Sequence, residues 1–285
     1  MQVIQAVESD GVFEDIGMVA GMEGVSIGEH GSTLAAFVYT RSMTSSPNSV
    51  LTHGVARDLS VLAFDAYGTL LDVYSVAQAA DRAFPGRGEQ VARVWRDKQV
   101  DYSRLRALGG PDRYVSFWQI TQDALTAVDR LLQLQMTVAQ REALLAAYAE
   151  LKAYPEVVDA LGRLRATGRP VCVLSNGNPE MLSQALQAAG LQGVFDAVLS
   201  VEPLRTFKVH PDTYGLVMKR FGVPAQQVCL VSSNAWDVCG ARWAGLQAYW
   251  VNRQQAPMEV LGVEPSAQGK TLADLVTWLE GGHGA

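Results

Sequence analysis

An alternation constrains this chain more than any other feature. From Pro155 onward, strand-sized apolar runs (170–174, 197–201, 228–232, 247–251) are separated by helical patterns (156–167, 179–189, 211–221, 236–244). Strands spaced by helices need crossover connections, and crossovers build a parallel sheet. A further run, Leu59 to Phe64, comes first and ends at Asp65, with Gly68 of Tyr67-Gly68-Thr69 suited to a sharp turn. No strand pattern interrupts 73–154. There Val91, Val94, Trp95, Tyr102, Leu105 and Leu108 recur near 3.6 residues, and Val115 to Leu134 and Val138 to Leu151 behave likewise. The expected fold is α/β: a doubly wound parallel sheet from 58–72 and 155–285, with 73–154 inserted as a helical cap.

Residues 1–57 read differently. They hold seven Gly, six acidic and two basic residues (Arg41, Arg57), with no sustained apolar period, and are expected to form a loosely ordered extension. They lack the basic start and apolar core of a signal peptide and the arginine-rich, acid-poor character of a transit peptide. Met43 lies much nearer the first strand, which leaves a later start open.

Charge and cysteine usage exclude several classes. With 23 Lys+Arg against 29 Asp+Glu the net charge is -6, so nucleic acid and anionic membrane are not expected partners. The longest apolar runs, such as Val171 to Leu174 and Val228 to Val231, fall far short of the roughly 20 residues of a membrane helix. Cys172, Cys229 and Cys239 form an odd set without C-x-x-C spacing, which opposes a disulfide framework or a zinc ribbon and makes a reducing cytoplasm the expected location. His30, His53, His210 and His283 show no metal-ligand spacing, and no glycine-rich phosphate loop is present.

In an open parallel sheet, ligands bind beyond the carboxyl ends of the strands, where strand order reverses. Those ends carry Asp65, Ser175-Asn176 and Ser232-Ser233-Asn234, and the loop after the 197–201 run carries Lys208. A carboxylate closing a buried apolar strand is costly unless it is paired or functional, and Lys208 is its obvious counter-charge. A cap that leaves directly after the first strand is placed to cover these groups and exclude water.

Asp65-Ala66-Tyr67-Gly68-Thr69-Leu70, Ser175-Asn176-Gly177, Lys208 before His210-Pro211, and Ser232-Ser233-Asn234-Ala235-Trp236-Asp237 resemble the four motifs of the haloacid dehalogenase superfamily. The resemblance is closest to its L-2-haloacid dehalogenase branch, runs from about Leu59 to about Trp278, and implies a Rossmann-like core. Phosphatases on this fold carry D-x-D, whose second Asp protonates a poor alkoxide leaving group, and hold Mg²⁺ with carboxylates of the first and fourth motifs. Here the second position is Tyr67, and of the fourth-motif positions only Asp237 is acidic. Halide leaves as a stable anion and needs neither, so no cofactor or metal is expected.

The resemblance implies a nucleophilic mechanism on a short (S)-2-haloalkanoic acid. Asp65 attacks C2 with inversion and forms an aspartyl ester, and water then hydrolyses the ester to an (R)-2-hydroxy acid. Lys208 keeps Asp65 ionised and, with Ser175, holds the substrate carboxylate. Thr69, Ser232, Asn234 and Asp237 orient Asp65 and Lys208 and place the water, Asp237 being the candidate base. Tyr214 belongs to the same hydrogen-bond network. Arg96 and Asn176 cradle the departing halide, while Tyr67, Phe117 and Trp236 wall the alkyl group. The branch also implies a homodimer.

The sequence departs from that pattern at Val209, where Pro is usual, at a longer cap loop Gly109-Gly110-Pro111-Asp112, and at Arg104, where an aromatic residue is common. Three alternatives stay open: a hydrolase of the same branch acting on a fluorinated acid or a strained ring carboxylate, a Mg²⁺-dependent phosphatase, and a non-catalytic binding member.

Overall fold

The structure is a computed structural model that describes residues 58–281. The extension expected over 1–57, with His30 and His53, lies outside the described residues, as does His283.

The described strands are β1 (Val61–Phe64), β2 (Val171–Ser175), β3 (Ala197–Ser200), β4 (Val228–Ser232), β5 (Gln247–Val251) and β6 (Ala267–Gly269), and they form one parallel sheet in the order β3-β2-β1-β4-β5-β6. β1 pairs Phe64 with Val173 on one side and with Val231 on the other. All residues of β1, β2 and β4 are buried, as a strand covered on both faces requires, which is why these runs are continuously apolar. Strand order runs outward from β1 to β3, then reverses across β1 to β4. Right-handed crossovers therefore put the two sets of connecting helices on opposite faces. The reversal lies between β1 and β4, beside Asp65 and Asn234.

Four helices occupy the insertion: α1 (Val76–Ala83), α2 (Gly88–Leu108), α3 (Phe117–Leu132) and α4 (Val138–Ala149). Ser116 caps α3, and Thr137 with Gln140 forms a capping box on α4. The chain leaves and returns side by side, with Leu71 bridging Ala153, Asp72 N donating to Lys152 O (2.9 Å) and Tyr154 N to Leu70 O (3.1 Å). Arg253, after β5, fastens this junction. It pairs with Glu156 at 2.6 Å, donates to Thr69 O at 2.9 Å and lies 3.7 Å from the Tyr154 ring centroid.

The remaining helices are α5 (Val157–Ala166), α6 (Pro179–Ala188), α7 (Pro211–Phe221), α8 (Ala235–Trp243) and α9 (Leu272–Leu279). Pro211 at the first position and Gly222 at φ +68° bound α7, as their backbone preferences dictate. Among the described residues no helix is long and apolar enough to cross a membrane.

Two details depart from the sequence pattern. Leu105 and Leu108, which continue the 3.6-residue spacing of α2, are exposed. The buried stripe instead follows the inclined i, i+4 row Val91, Trp95, Gln99 and Ser103, with Arg96 beside it. The polar members are matched: Gln99 Nε2 donates to Thr121 Oγ1 (2.9 Å) and Gln99 Oε1 accepts from the Tyr148 hydroxyl (3.2 Å). Strand β6 and helix α9 also lie beyond the expected elements, because three residues of edge strand are too few to show a period.

Candidate active site

Asp65 is the first residue past β1, its N–H held by Val231 O at 3.0 Å, so its carboxylate stands at the reversal point. Gly68 follows at φ +94°, in the left-handed region, and lets the chain turn back so that Thr69 faces Asp65. Three side chains converge on this carboxylate. Lys208 Nζ donates to Oδ1 at 3.2 Å, while Thr69 Oγ1 (3.1 Å) and Asn234 Nδ2 (2.8 Å) donate to Oδ2. Thr69 Oγ1 in turn accepts from Ser233 N at 2.8 Å.

Lys208 also donates to Asp237 Oδ2 at 2.8 Å, and Tyr214 donates to Asp237 Oδ1 at 2.8 Å. Lys208, Asp237 and Tyr214 are all buried. Burial by itself lowers the Lys208 pKa, yet the charges of Asp237 and Asp65 outweigh it and hold the ammonium above its ordinary value. Asp237 is pushed up, first by burial and then by the Asp65 charge, with Lys208 opposing. Burial raises Tyr214 well above the usual phenol value, with the Asp237 charge adding to it, so the hydroxyl stays a donor.

Above Asp65 lies a cavity of about 10 Å³, room for about one water, lined by Asp65, Tyr67, Arg96, Val100, Ser103, Phe117, Ser175, Asn176 and Trp236. Asp65 is its sole acid among the described residues. Arg96 reaches in from α2 and donates through Nη2 to Tyr67 O (3.1 Å) and Asn234 Oδ1 (3.2 Å). Asn176 accepts from Lys208 N at 2.9 Å, which leaves its amide nitrogen for the cavity. Ser175 Oγ accepts from Gly177 N at 3.1 Å and keeps its own proton to donate. Tyr67 stacks on Tyr148 (5.8 Å, 14°), lies 6.0 Å from Phe117, and donates to Met181 O at 3.5 Å. Burial, with Tyr148 and Asp65, raises Tyr67 well above the phenol range, so the hydroxyl keeps its proton.

The thirteen residues singled out in the sequence thus gather at one strand-end site, in two layers. Asp65, Tyr67, Arg96, Phe117, Ser175, Asn176 and Trp236 line the cavity. Thr69, Lys208, Asn234 and Asp237 hold Asp65 directly or through Lys208, and Tyr214 holds Asp237. Ser232 is buried one step back, its Oγ accepting from Asn234 N at 3.1 Å. Val100 and Ser103 escaped the sequence reading, although they stand four and seven residues after Arg96 and so share its helix face. Gly240 escaped it too. A Cβ there would collide with the Tyr214 hydroxyl and Val209, so the glycine is what lets α8 approach α7.

A divalent cation does not suit this donor set. The two carboxylates already share the Lys208 ammonium, and no group of three or more His, Cys, Asp or Glu that could hold a metal gathers among the described residues.

Residues 59–245 match a family model described as haloacid dehalogenase-like hydrolase. The chain belongs to this family. An (S)-2-haloacid dehalogenase of Pseudomonas sp. (strain YL) is 40% identical over 219 residues, covering 77% of this chain and 94% of that protein. A crystal structure of an L-2-haloacid dehalogenase aligns with TM-score 0.76 and 46% identity over 78% of this chain and 99% of that one. The L-2-haloacid dehalogenase from Xanthobacter autotrophicus with chloropropionic acid covalently bound aligns with TM-score 0.72 and 38% identity, again over 78% and 99%.

Within this haloacid dehalogenase-like hydrolase the three sequence departures take definite form. The Lys208–Val209 peptide is cis, and the ammonium stays between Asp65 and Asp237. Pro111–Arg113, between α2 and α3, forms one 3₁₀ turn. Arg104 lies over Trp236, its guanidinium carbon 5.0 Å from the ring centroid. His210 caps α7, its Nδ1 accepting from Asp212 N at 3.3 Å.

Proposed function

We propose that the protein hydrolyses short (S)-2-haloalkanoic acids to (R)-2-hydroxy acids and halide through an aspartyl ester on Asp65. The observation that carries this reading is a single carboxylate, Asp65, facing an apolar-walled cavity that also holds a guanidinium but no second acid. A cavity whose described lining offers no second carboxyl group to protonate a leaving group suits one that departs as a stable anion.

Oδ2 of Asp65 already accepts from Thr69 and Asn234, so Oδ1 attacks C2 from behind as the carbon–halogen bond breaks. Halide takes the bonding electrons and is met by Arg96 and the Asn176 amide nitrogen, which stabilise the charge developing on it. The substrate carboxylate pairs with the remaining Lys208 hydrogen and the Ser175 hydroxyl. Water then adds to Cγ of the ester, and the charge forming on Oδ2 meets the Thr69 and Asn234 donors. The Cγ–Oδ1 bond breaks as the Oδ2 charge re-forms the carbonyl, and the leaving alkoxide takes up, through Lys208, the proton that Asp237 drew from the water. Asp237, pushed up by burial and tied to Asp65 through Lys208, is the base that draws the water's proton. Tyr214 and Ser232 fix Asp237 and Asn234, and Tyr67, Phe117 and Trp236 exclude bulk water. No step needs a metal.

Residues 73–154 act as the cap and 58–72 with 155–285 as the core of a homodimer in a reducing cytoplasm. The three free, buried thiols support that setting.

Halide release is measured from (S)- and (R)-2-chloropropionate with EDTA, beside a phosphate-ester assay with Mg²⁺. Chloride from the S isomer with (R)-lactate as product is expected. Phosphate release without chloride, or product with retained configuration, refutes the reading.

A further inference from the structure

A cavity of about 10 Å³ admits no 2-haloacid until one of its walls moves. Three of its lining residues, Arg96, Val100 and Trp236, also line a second cleft of about 440 Å³ that reaches across the cap–core junction to Tyr154 and Arg253. Arg96, Val100 and Arg104 succeed one another at one-turn intervals along α2, so Arg104 stands on the outer side of that shared wall.

Arg104 is half-buried and lies over the Trp236 ring. Among the described residues no carboxylate forms an ion pair with it. The acids acting on it are Asp101 and Glu259, which line the same cleft with Asp97, and Arg96 faces it with like charge. Burial outweighs them and draws the guanidinium below its ordinary value. Arg96, by contrast, is already committed to Tyr67 O and Asn234 Oδ1. The cleft therefore holds a cation with a spare fork of donors beside the panel that closes the cavity.

We propose that this cleft is the access vestibule of the Asp65 cavity, and that Arg104, stacked on Trp236, is a specificity-determining residue that gathers small carboxylate anions at the gate. A carboxylate that pairs bidentately with Arg104 draws the guanidinium off the indole. Trp236 is then free to swing, so anion capture and opening of the wall are one event. The lining charges of the cleft balance, Arg96, Arg104 and Arg253 against Asp97, Asp101 and Glu259, so capture rests on the Arg104 fork itself, for which salt anions compete. The inference rests on the proposed dehalogenase reading for its substrate, but not for the anion site itself.

The test compares wild type with Arg104→Met and Arg104→Lys. For (S)-2-chloropropionate at low salt, Arg104→Met is expected to lower kcat/KM by roughly three- to tenfold, through KM, and the deficit closes as salt rises toward about 0.5 M. Arg104→Lys keeps the salt dependence. A wild-type kcat/KM and salt slope in Arg104→Met overturns the proposal. Tryptophan quenching gives a readout independent of turnover: with the exposed Trp243 replaced by Phe in both proteins, Arg104→Met loses quenching by iodide while quenching by neutral acrylamide is kept or rises. Unchanged iodide quenching, or an equal loss for both quenchers, overturns the anion site. A wild type that releases no halide sinks the dehalogenase reading alone, because the quenching comparison still decides the vestibule.

Discussion

Asp65 and Lys208 stand 143 residues apart in the chain and 3.2 Å apart in the fold. The ammonium is shared, since Asp237 lies closer still at 2.8 Å. Two buried carboxylates thus depend on one cation, and breaking such a cluster by removing the cation leaves charge uncompensated. Lys208→Met is therefore expected to abolish turnover and to lower stability at pH 8 by about 3–5 kcal/mol, measured by urea unfolding. The gap to wild type narrows as pH falls, because protonation of the buried Asp237, already pushed up by burial, relieves the variant. A gap that widens in acid contradicts the shared-cation arrangement.

The ester scheme dictates where oxygen travels. Water adds to Cγ of Asp65 and the original Oδ1 leaves with the product. In a single turnover with excess enzyme in H₂¹⁸O, the label is expected in the Asp65 carboxylate, found by peptide mass spectrometry, and not in the 2-hydroxy acid. Asp65→Asn is expected to release no halide. Label appearing directly in the product means that water attacks C2 itself.

The pH window follows from two raised groups. Asp237 must be ionised to accept a proton, so activity falls as pH drops through a value displaced upward from the 3.8 of free aspartate. Lys208 must be charged, so activity falls at the other end only as pH rises past the 10.5 of free lysine. A kcat profile with a broad neutral-to-alkaline plateau is expected. An alkaline limb well below 10.5 assigns that limb to another group.

Gly240 offers a test of the supporting layer without replacing a polar group. In Gly240→Ala the new methyl meets the Tyr214 hydroxyl and Val209, so Tyr214 must leave Asp237 or α8 must shift. Overpacking of this kind lowers stability by about 1–3 kcal/mol. The decisive readout is the acid limb of the kcat profile. Loss of the Tyr214 donor is expected to move it upward, because the hydrogen bond favours the Asp237 carboxylate. A destabilised variant with an unmoved limb makes Tyr214 a packing residue only.

Much of this arrangement is legible before folding. Continuous apolar runs such as Val171 to Leu174 declare strands covered on both faces, and alternating helices declare crossovers, so a parallel sheet with strand-end polar groups follows from local pattern alone. The residue types at those ends restrict the chemistry, with Tyr67 in place of a proton-donating acid and one acid in the last motif. Pattern weakens where three-dimensional neighbours choose the face. The buried stripe of α2 runs through Gln99 and Ser103 and abandons Leu105 and Leu108, because the helix is covered along an inclined row whose polar members meet Thr121 and Tyr148. The short β6 and the close approach at Gly240 also depend on partners distant in the chain. The sequence by itself determined the sheet and the inserted helices, which rest on periodicity, and it singled out Asp65 as the candidate nucleophile through the motif that carries it. Only the tertiary structure decided that Lys208 serves two carboxylates, that the cavity is closed to about 10 Å³, and that Arg104 lies on Trp236, because each is a distance between residues brought together by packing.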